Sequence, residues 1–235
     1  MRLRPIATIV FVLGTAGSNA WSDGLVYKLP ADGSWVQFDL KATAGGENQT
    51  RDFKGTLRVS SVGSSEEDGT KCRWVEIKMT MMVDDKNRVI VAKTLIPEVD
   101  LQRGKSPYDN MVRGWIRMSA DGEAVQLTDS NKGPLPGFLA GPLKDYKPLE
   151  AMEIESSLGK LKCEGATGYV EFKDNVGDNK IDFENRLHEK APFGVVSSTM
   201  NVTVRRNGEV RESIKMVLTL SKTGTGAKTE LPDSK

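Results

Sequence analysis

A single histidine and two cysteines in 235 residues leave this chain little material for metal or nucleophile chemistry. A zinc site draws its four ligands largely from those two residue types, so no metal is expected. His188 could serve as a base only for Cys72 or Cys163, and neither cysteine sits in a local setting that marks an activated thiol. Catalytic residues are therefore expected to be none. The stretch Asp84-Asp85-Lys86-Asn87 lacks the spacing and closing glutamate of a calcium loop and reads as a turn. No phosphate loop or dinucleotide fingerprint is present, because the glycines of Lys222 to Ala227 have no helix after them, and no cofactor is expected. Glu66-Glu67 and Glu153 with Glu155 are adjacent or share one strand face, which does not make the opposed pair of a glycosidase.

Long hydrophobic runs are also missing. After residue 24 every apolar stretch is short and broken by charges, far below the roughly 20 residues of a spanning helix. Ahead of that point, Met1 to Ala20 carries Arg2 and Arg4, an apolar run from Ile6 to Leu13, and small residues up to the end. That order predicts a cleaved signal peptide over 1–20 and an exported mature chain, periplasmic or extracellular. With no cysteine at the cut, no lipid anchor is expected. An excess of either charge is lacking too: 33 basic residues less Arg2 and Arg4 leave 31 against 32 acidic ones. A near-neutral surface gives no electrostatic reason to bind nucleic acid or an anionic membrane.

What the chain does have is alternation. Val36, Phe38, Leu40 and Ala42 face one way against Gln37, Asp39, Lys41 and Thr43, and Phe53, Leu57 and Val59 repeat the pattern. Val75, Ile77, Met79, Met81 and Val83 repeat it again. Period-two patterning of this kind marks strands with one apolar and one wet face. The clearest unit is Asn201 to Leu220, two arms joined at Asn207-Gly208, the pair best suited to a type I′ turn. Ser64 to Gly69 reads as an acidic turn, and Pro97 to Asn110 as a loop with one helical turn. Four of the ten prolines fall within 131–148, which excludes a central strand there and predicts a long connection with the character of a lid.

No long amphipathic helix appears. The expected fold class is all-β: an antiparallel, strongly curved sheet or half-open barrel of about ten strands, with a two-sheet sandwich as the alternative. A single domain over 21–222 follows, with a small, polar, disordered tail at 223–235. Export permits a disulfide between Cys72 and Cys163, each early in a strand after a turn; the alternative is two separately buried thiols.

Two further features invite a functional reading. Arg113, Trp115 and Arg117 share a strand face, which suits either a stacking platform or an outer face where arginine covers tryptophan. The methionines of the third strand suit a cavity for varied apolar ligands, and equally an irregular core.

The passages LGKLKCEGATGYVEF (158–172) and RLHEKAPFGVVSSTMNVTV (186–204), with LPADGSWVQFDL (29–40) and KCRWVEIKM (71–79), resemble a pattern found in uncharacterised exported bacterial β-rich proteins. In strand pattern these are similar to the outer-membrane lipoprotein carriers. The resemblance implies a curved antiparallel sheet able to hold acyl chains, and transfers no ligand residue.

The functional expectation is an exported, non-enzymatic β-protein that binds an apolar small molecule or lipid, with Met79, Met81, Leu135, Phe138 and Leu139 as candidate ligand-binding residues. An envelope structural or adhesion protein with a filled core is the alternative, and a hydrolase ranks behind both.

Overall fold

A computed structural model describes residues 23–46, 50–83, 86–100, 110–128, 143–173 and 177–231. The expected signal peptide lies outside them, as do residues 131–142 of the expected lid with Leu135, Phe138 and Leu139. The described residues form eleven strands and one turn of 3-10 helix, Glu98–Asp100. In chain order the strands are β1 (Trp35–Gly45), β2 (Thr50–Glu67), β3 (Thr70–Val83), β4 (Lys86–Pro97), β5 (Arg113–Arg117), β6 (Val125–Gln126), β7 (Lys144–Ser156), β8 (Gly159–Lys173), β9 (Asp178–Leu187), β10 (Val195–Arg206) and β11 (Glu209–Gly224).

All eleven belong to one antiparallel sheet ordered β6-β5-β4-β3-β2-β1-β11-β10-β9-β8-β7. The sandwich alternative is not adopted. A single twisted sheet of this many strands curls, and the β7–β8 turn shows how far: the Ser157 amide donates to the Leu220 carbonyl of β11 at 3.3 Å, although four sheet positions separate β7 from β11. The sheet edges β6 and β7 do not pair, so the result is a half-open barrel. Gly55 on β2 marks one place where the strands crowd, since a Cβ there would stand 2.0 Å from the Thr80 carbonyl oxygen of β3. Only a residue without a side chain tolerates that approach.

The Asn207-Gly208 turn has positive φ at both positions, 55° and 83°, as a type I′ turn demands. Asp68-Gly69 does the same at the β2–β3 connection. The expected turn at Ser64 to Gly69 is therefore corrected to two residues. Ser64 to Glu67 continue β2, paired with Arg73 to Thr70, after a bulge at Ser61/Ser64 absorbs the break in alternation. Pro148 lies within β7, an edge strand, where its missing N–H removes no interior ladder bond.

The expectation of a disordered tail at 223–235 is corrected as far as Leu231, and residues 232–235 lie outside the described residues. Strand β11 runs on to Gly224, and residues 225–231 then meet Trp35 of β1, Glu76 and Lys78 of β3, Val91 of β4 and Trp115 of β5. Ala227 N–H donates to the Gly33 carbonyl at 2.9 Å, and Leu231 is buried against Val91 and Trp115. Composition reads this segment as polar and small, but Leu231 in its pocket and the Thr229 and Glu230 contacts with Glu76 and Lys78 hold it to the sheet.

Two ends of the half-barrel differ. One carries the β2–β3 and β7–β8 turns, residues 188–194 and the N-terminal segment, whose Tyr27 and Lys28 amides both donate to the Phe193 carbonyl at 3.1 and 3.2 Å. Leu25, Val26 and Phe193 are fully buried there, so that end is plugged. At the other end lie the last residues of β1, β3 and β8 and the Asn207-Gly208 turn between β10 and β11.

Candidate functional site: an apolar cavity in the curved sheet

Alternation sends one side of each strand inward. Leu40, Ala42 and Ala44 of β1, Phe53 and Leu57 of β2, Ile77, Met79, Met81 and Val83 of β3, Ile90 and Ala92 of β4, and Ile214, Met216 and Leu218 of β11 face the same concave surface. They enclose a cavity of about 380 Å³ whose only polar lining residue, among the described residues, is Glu212. Leu25 from the plugging segment and Met200 of β10 complete the wall.

The lining grades along its length. Leu25, Leu40 and Leu218 at the plugged end are buried, whereas Ala44, Phe53, Val83, Ile90 and Ile214 are half-buried at the other. The cavity is therefore a blind pocket with its mouth at the Val83 end of β3, and Glu212 sits at that mouth, exposed. Shape, size and lining fit the usual features of small-molecule sites, which are concave, mostly apolar and at least about 300 Å³. Water gains little there, because a bound molecule needs polar partners that this wall does not offer.

Of the residues singled out from the sequence, Met79 and Met81 both line the cavity, as neighbours on the inward side of β3. The parity that placed them there also includes Phe53, Leu57, Ile77 and Ile214. What the sequence does not tell is where along these apolar faces the side chains stop meeting one another. Val36, Phe38 and Val59 have the same patterning and are packed core.

The cysteines take the separate option. Both thiols are free and buried, Cys72 on β3 with its Sγ 3.5 Å from the Thr70 carbonyl and Cys163 on β8 with its Sγ 3.6 Å from the Leu161 carbonyl. The bridge is not formed, because their strands lie six positions apart in the sheet. Burial pushes both thiols above the ordinary range, and at Cys72 the carboxylates of Glu67 and Glu98 push the same way. A thiol held protonated is a poor nucleophile.

His188 Nδ1 accepts the Lys190 amide at 3.1 Å, which uses one ring nitrogen to shape the 188–194 corner. Among the described residues, no three His, Cys, Asp or Glu side chains converge as metal ligands would. The Arg113, Trp115 and Arg117 ladder lies on the outer face. Trp115 is buried beside Trp74, ring centroids 5.6 Å apart, and Leu231 covers it. Lys93, also buried, stands 4.6 Å over the Trp74 ring. Arginine, lysine and the C-terminal segment together cover the tryptophans, so this face is an outer packing layer.

Fold and cavity define the class: an all-β protein whose single curved antiparallel sheet half-encloses an apolar pocket. No protein-family model matches the chain, and no curated protein does. Among solved structures, a DUF1329 family protein from Desulfovibrio piger matches 86% of this chain and 89% of its own at 11% identity, TM-score 0.34. A candidate exported protein from Bacteroides fragilis matches 84% and 98% at 8% identity, TM-score 0.34. A candidate outer-membrane lipoprotein-sorting domain from Vibrio parahaemolyticus matches 86% and 88% at 9% identity, TM-score 0.32. Similarity at this level says nothing of ligand or activity.

Proposed function

We propose that the chain is an exported, non-enzymatic binding protein for an apolar small molecule or lipid, which it holds in the blind pocket of its curved sheet. The observation that carries the reading is the cavity itself: about 380 Å³, walled by apolar side chains from six strands and open at one end. A protein with only a structural role gains nothing from such a void, since each unfilled cavity costs stability in proportion to its volume. An apolar ligand recovers that loss, and each methylene it buries contributes about 0.8 kcal/mol. Met79, Met81 and Met216 suit the task because unbranched thioethers adapt to ligands of different shape. The signal-like segment 1–20 supports export. The buried, protonated thiols and the engaged histidine support a role without catalysis.

Native mass spectrometry of the protein recovered from the envelope of its own host tests this reading. A noncovalent adduct with the mass of an apolar metabolite or lipid is the expected result. A clean apo mass, together with no uptake of an apolar dye by the same sample, would count against it.

A further inference from the structure

Strand register lays out two rows of side chains on the outer face of the sheet. Trp35 of β1, Ser60 of β2, Glu76 of β3, Lys93 of β4 and Trp115 of β5 are opposite one another in turn, and so are Gln37, Arg58, Lys78, Val91 and Arg117. Residues directly opposite share a face. The row between these two, Val36, Val59, Ile77 and Ala92, points inward, and its Ile77 and Ala92 line the pocket.

The C-terminal segment follows the outer rows across the strands. Its Thr225 carbonyl accepts the Trp35 indole N–H at 3.3 Å on the β1 side. Over β3 the Glu76 carboxylate accepts the Thr229 hydroxyl at 2.7 Å and the Glu230 amide at 3.0 Å, while Glu230 meets Lys78 at 2.8 Å and Arg117 of β5 at 3.5 Å. Leu231 ends the crossing against Val91 and Trp115. From β1 to β4 or β5 is three to four strand intervals, about 14 to 19 Å. The six steps from Thr225 to Leu231 reach about 20 Å when extended. The segment is thus a strap with little slack, lying on the convex side directly behind the pocket wall.

Tighter curling moves the outer side chains of neighbouring strands apart, so a tie of fixed length on that side opposes it. The void on the inner side pulls the other way, since an unfilled cavity costs stability in proportion to its volume and closing walls relieve that cost. Within 225–231 only Leu231 is buried. Ordering seven residues for one buried leucine and a few polar contacts leaves the docked and undocked states close in free energy.

Resting on the apolar-ligand reading above, we infer that this C-terminal strap regulates the pocket from behind: docked, it holds β1 to β4 at the curvature that keeps the pocket open, and undocked, it lets the walls close and the pocket shrink. The coupling is reciprocal. Whatever factor docking adds to ligand affinity, bound ligand adds to docking.

The test uses N-phenyl-1-naphthylamine as the ligand probe, with the full mature protein and its Leu231→Asp variant. Tryptophan emission, read before dye is added, reports docking, because Trp74 and Trp115 lie beneath Leu231. The variant should show red-shifted emission and bind the dye at least about fivefold more weakly, the low end of usual coupling between two sites. In the unaltered protein, saturating dye should slow amide hydrogen exchange in the 225–231 segment by the same factor. Dye affinity that is unchanged or tighter in a folded variant with red-shifted emission, or exchange that the dye does not slow, overturns the regulatory role and leaves the apolar-ligand reading intact. Unchanged emission overturns the strap itself. If Leu231→Asp does not fold, exchange in the unaltered protein decides alone. No dye bound by the unaltered protein overturns both readings.

Discussion

The Thr229 hydroxyl donates to the Glu76 carboxylate at 2.7 Å, tying the end of the chain to the third strand of the sheet. The Glu230 amide donates to the same carboxylate at 3.0 Å, and the Glu230 side chain meets Lys78 at 2.8 Å. Leu231 then enters the pocket formed with Val91 and Trp115. Leu231→Asp should undock this segment, because a carboxylate in that pocket has no partner. The expected results are a loss of roughly 2 to 4 kcal/mol by urea unfolding and a red shift of tryptophan emission. An unchanged emission maximum would mean that Leu231 does not cover Trp115.

Gly55 sets a limit on how tightly the sheet curls. In Gly55→Ala the new methyl would meet the Thr80 carbonyl oxygen, a backbone atom that cannot swing away. Overpacking of this sort typically costs about 1 to 3 kcal/mol. Gly45→Ala serves as the control, since its Cβ would stand 3.9 Å from the nearest atom, the Ser213 carbonyl oxygen. Equal unfolding midpoints for the two variants would show that β2 and β3 do not approach as described.

Two free buried thiols give a simple mass measurement. Alkylation of the unfolded, unreduced chain should add two groups, and alkylation of the folded chain at neutral pH should add none within the same time. Burial raises both thiol pKa values in the folded state. Above the ordinary thiol range the unfolded chain thus releases protons that the folded chain keeps. Stability should fall as pH rises through that range. The Cys72→Ala, Cys163→Ala double variant should lose this part of the alkaline slope. A chain that takes up alkyl groups only after reduction would establish the bridge instead.

Much of the fold was legible because period-two patterning survives in nearly every strand. Val36 to Ala42 and Val75 to Val83 declare their inward faces, and Asn207-Gly208 declares its turn. The limits of legibility are physical. At Ser61 to Ser64 a bulge shifts the alternation, so the extension of β2 to Glu67 reads as a turn. The Thr225 to Leu231 segment is held by a leucine pocket and a carboxylate that lie more than a hundred residues away in sequence, and composition has no access to that. Met79 and Met81 could be placed on an inward face, but not in a cavity, because whether an inward face meets filler or void depends on how tightly the whole sheet curls.

The most direct measurement of the central claim is uptake of N-phenyl-1-naphthylamine by the full mature protein and by its Ala44→Trp variant. Ala44 is half-buried at the mouth, so an indole there can block the pocket without entering the packed core. The expected result is saturable, enhanced dye fluorescence with the unaltered protein and its loss with the variant, whose melting temperature stays within a few degrees. Dye uptake that is unchanged by Ala44→Trp, or absent from the unaltered protein, would contradict a ligand site in the curved sheet.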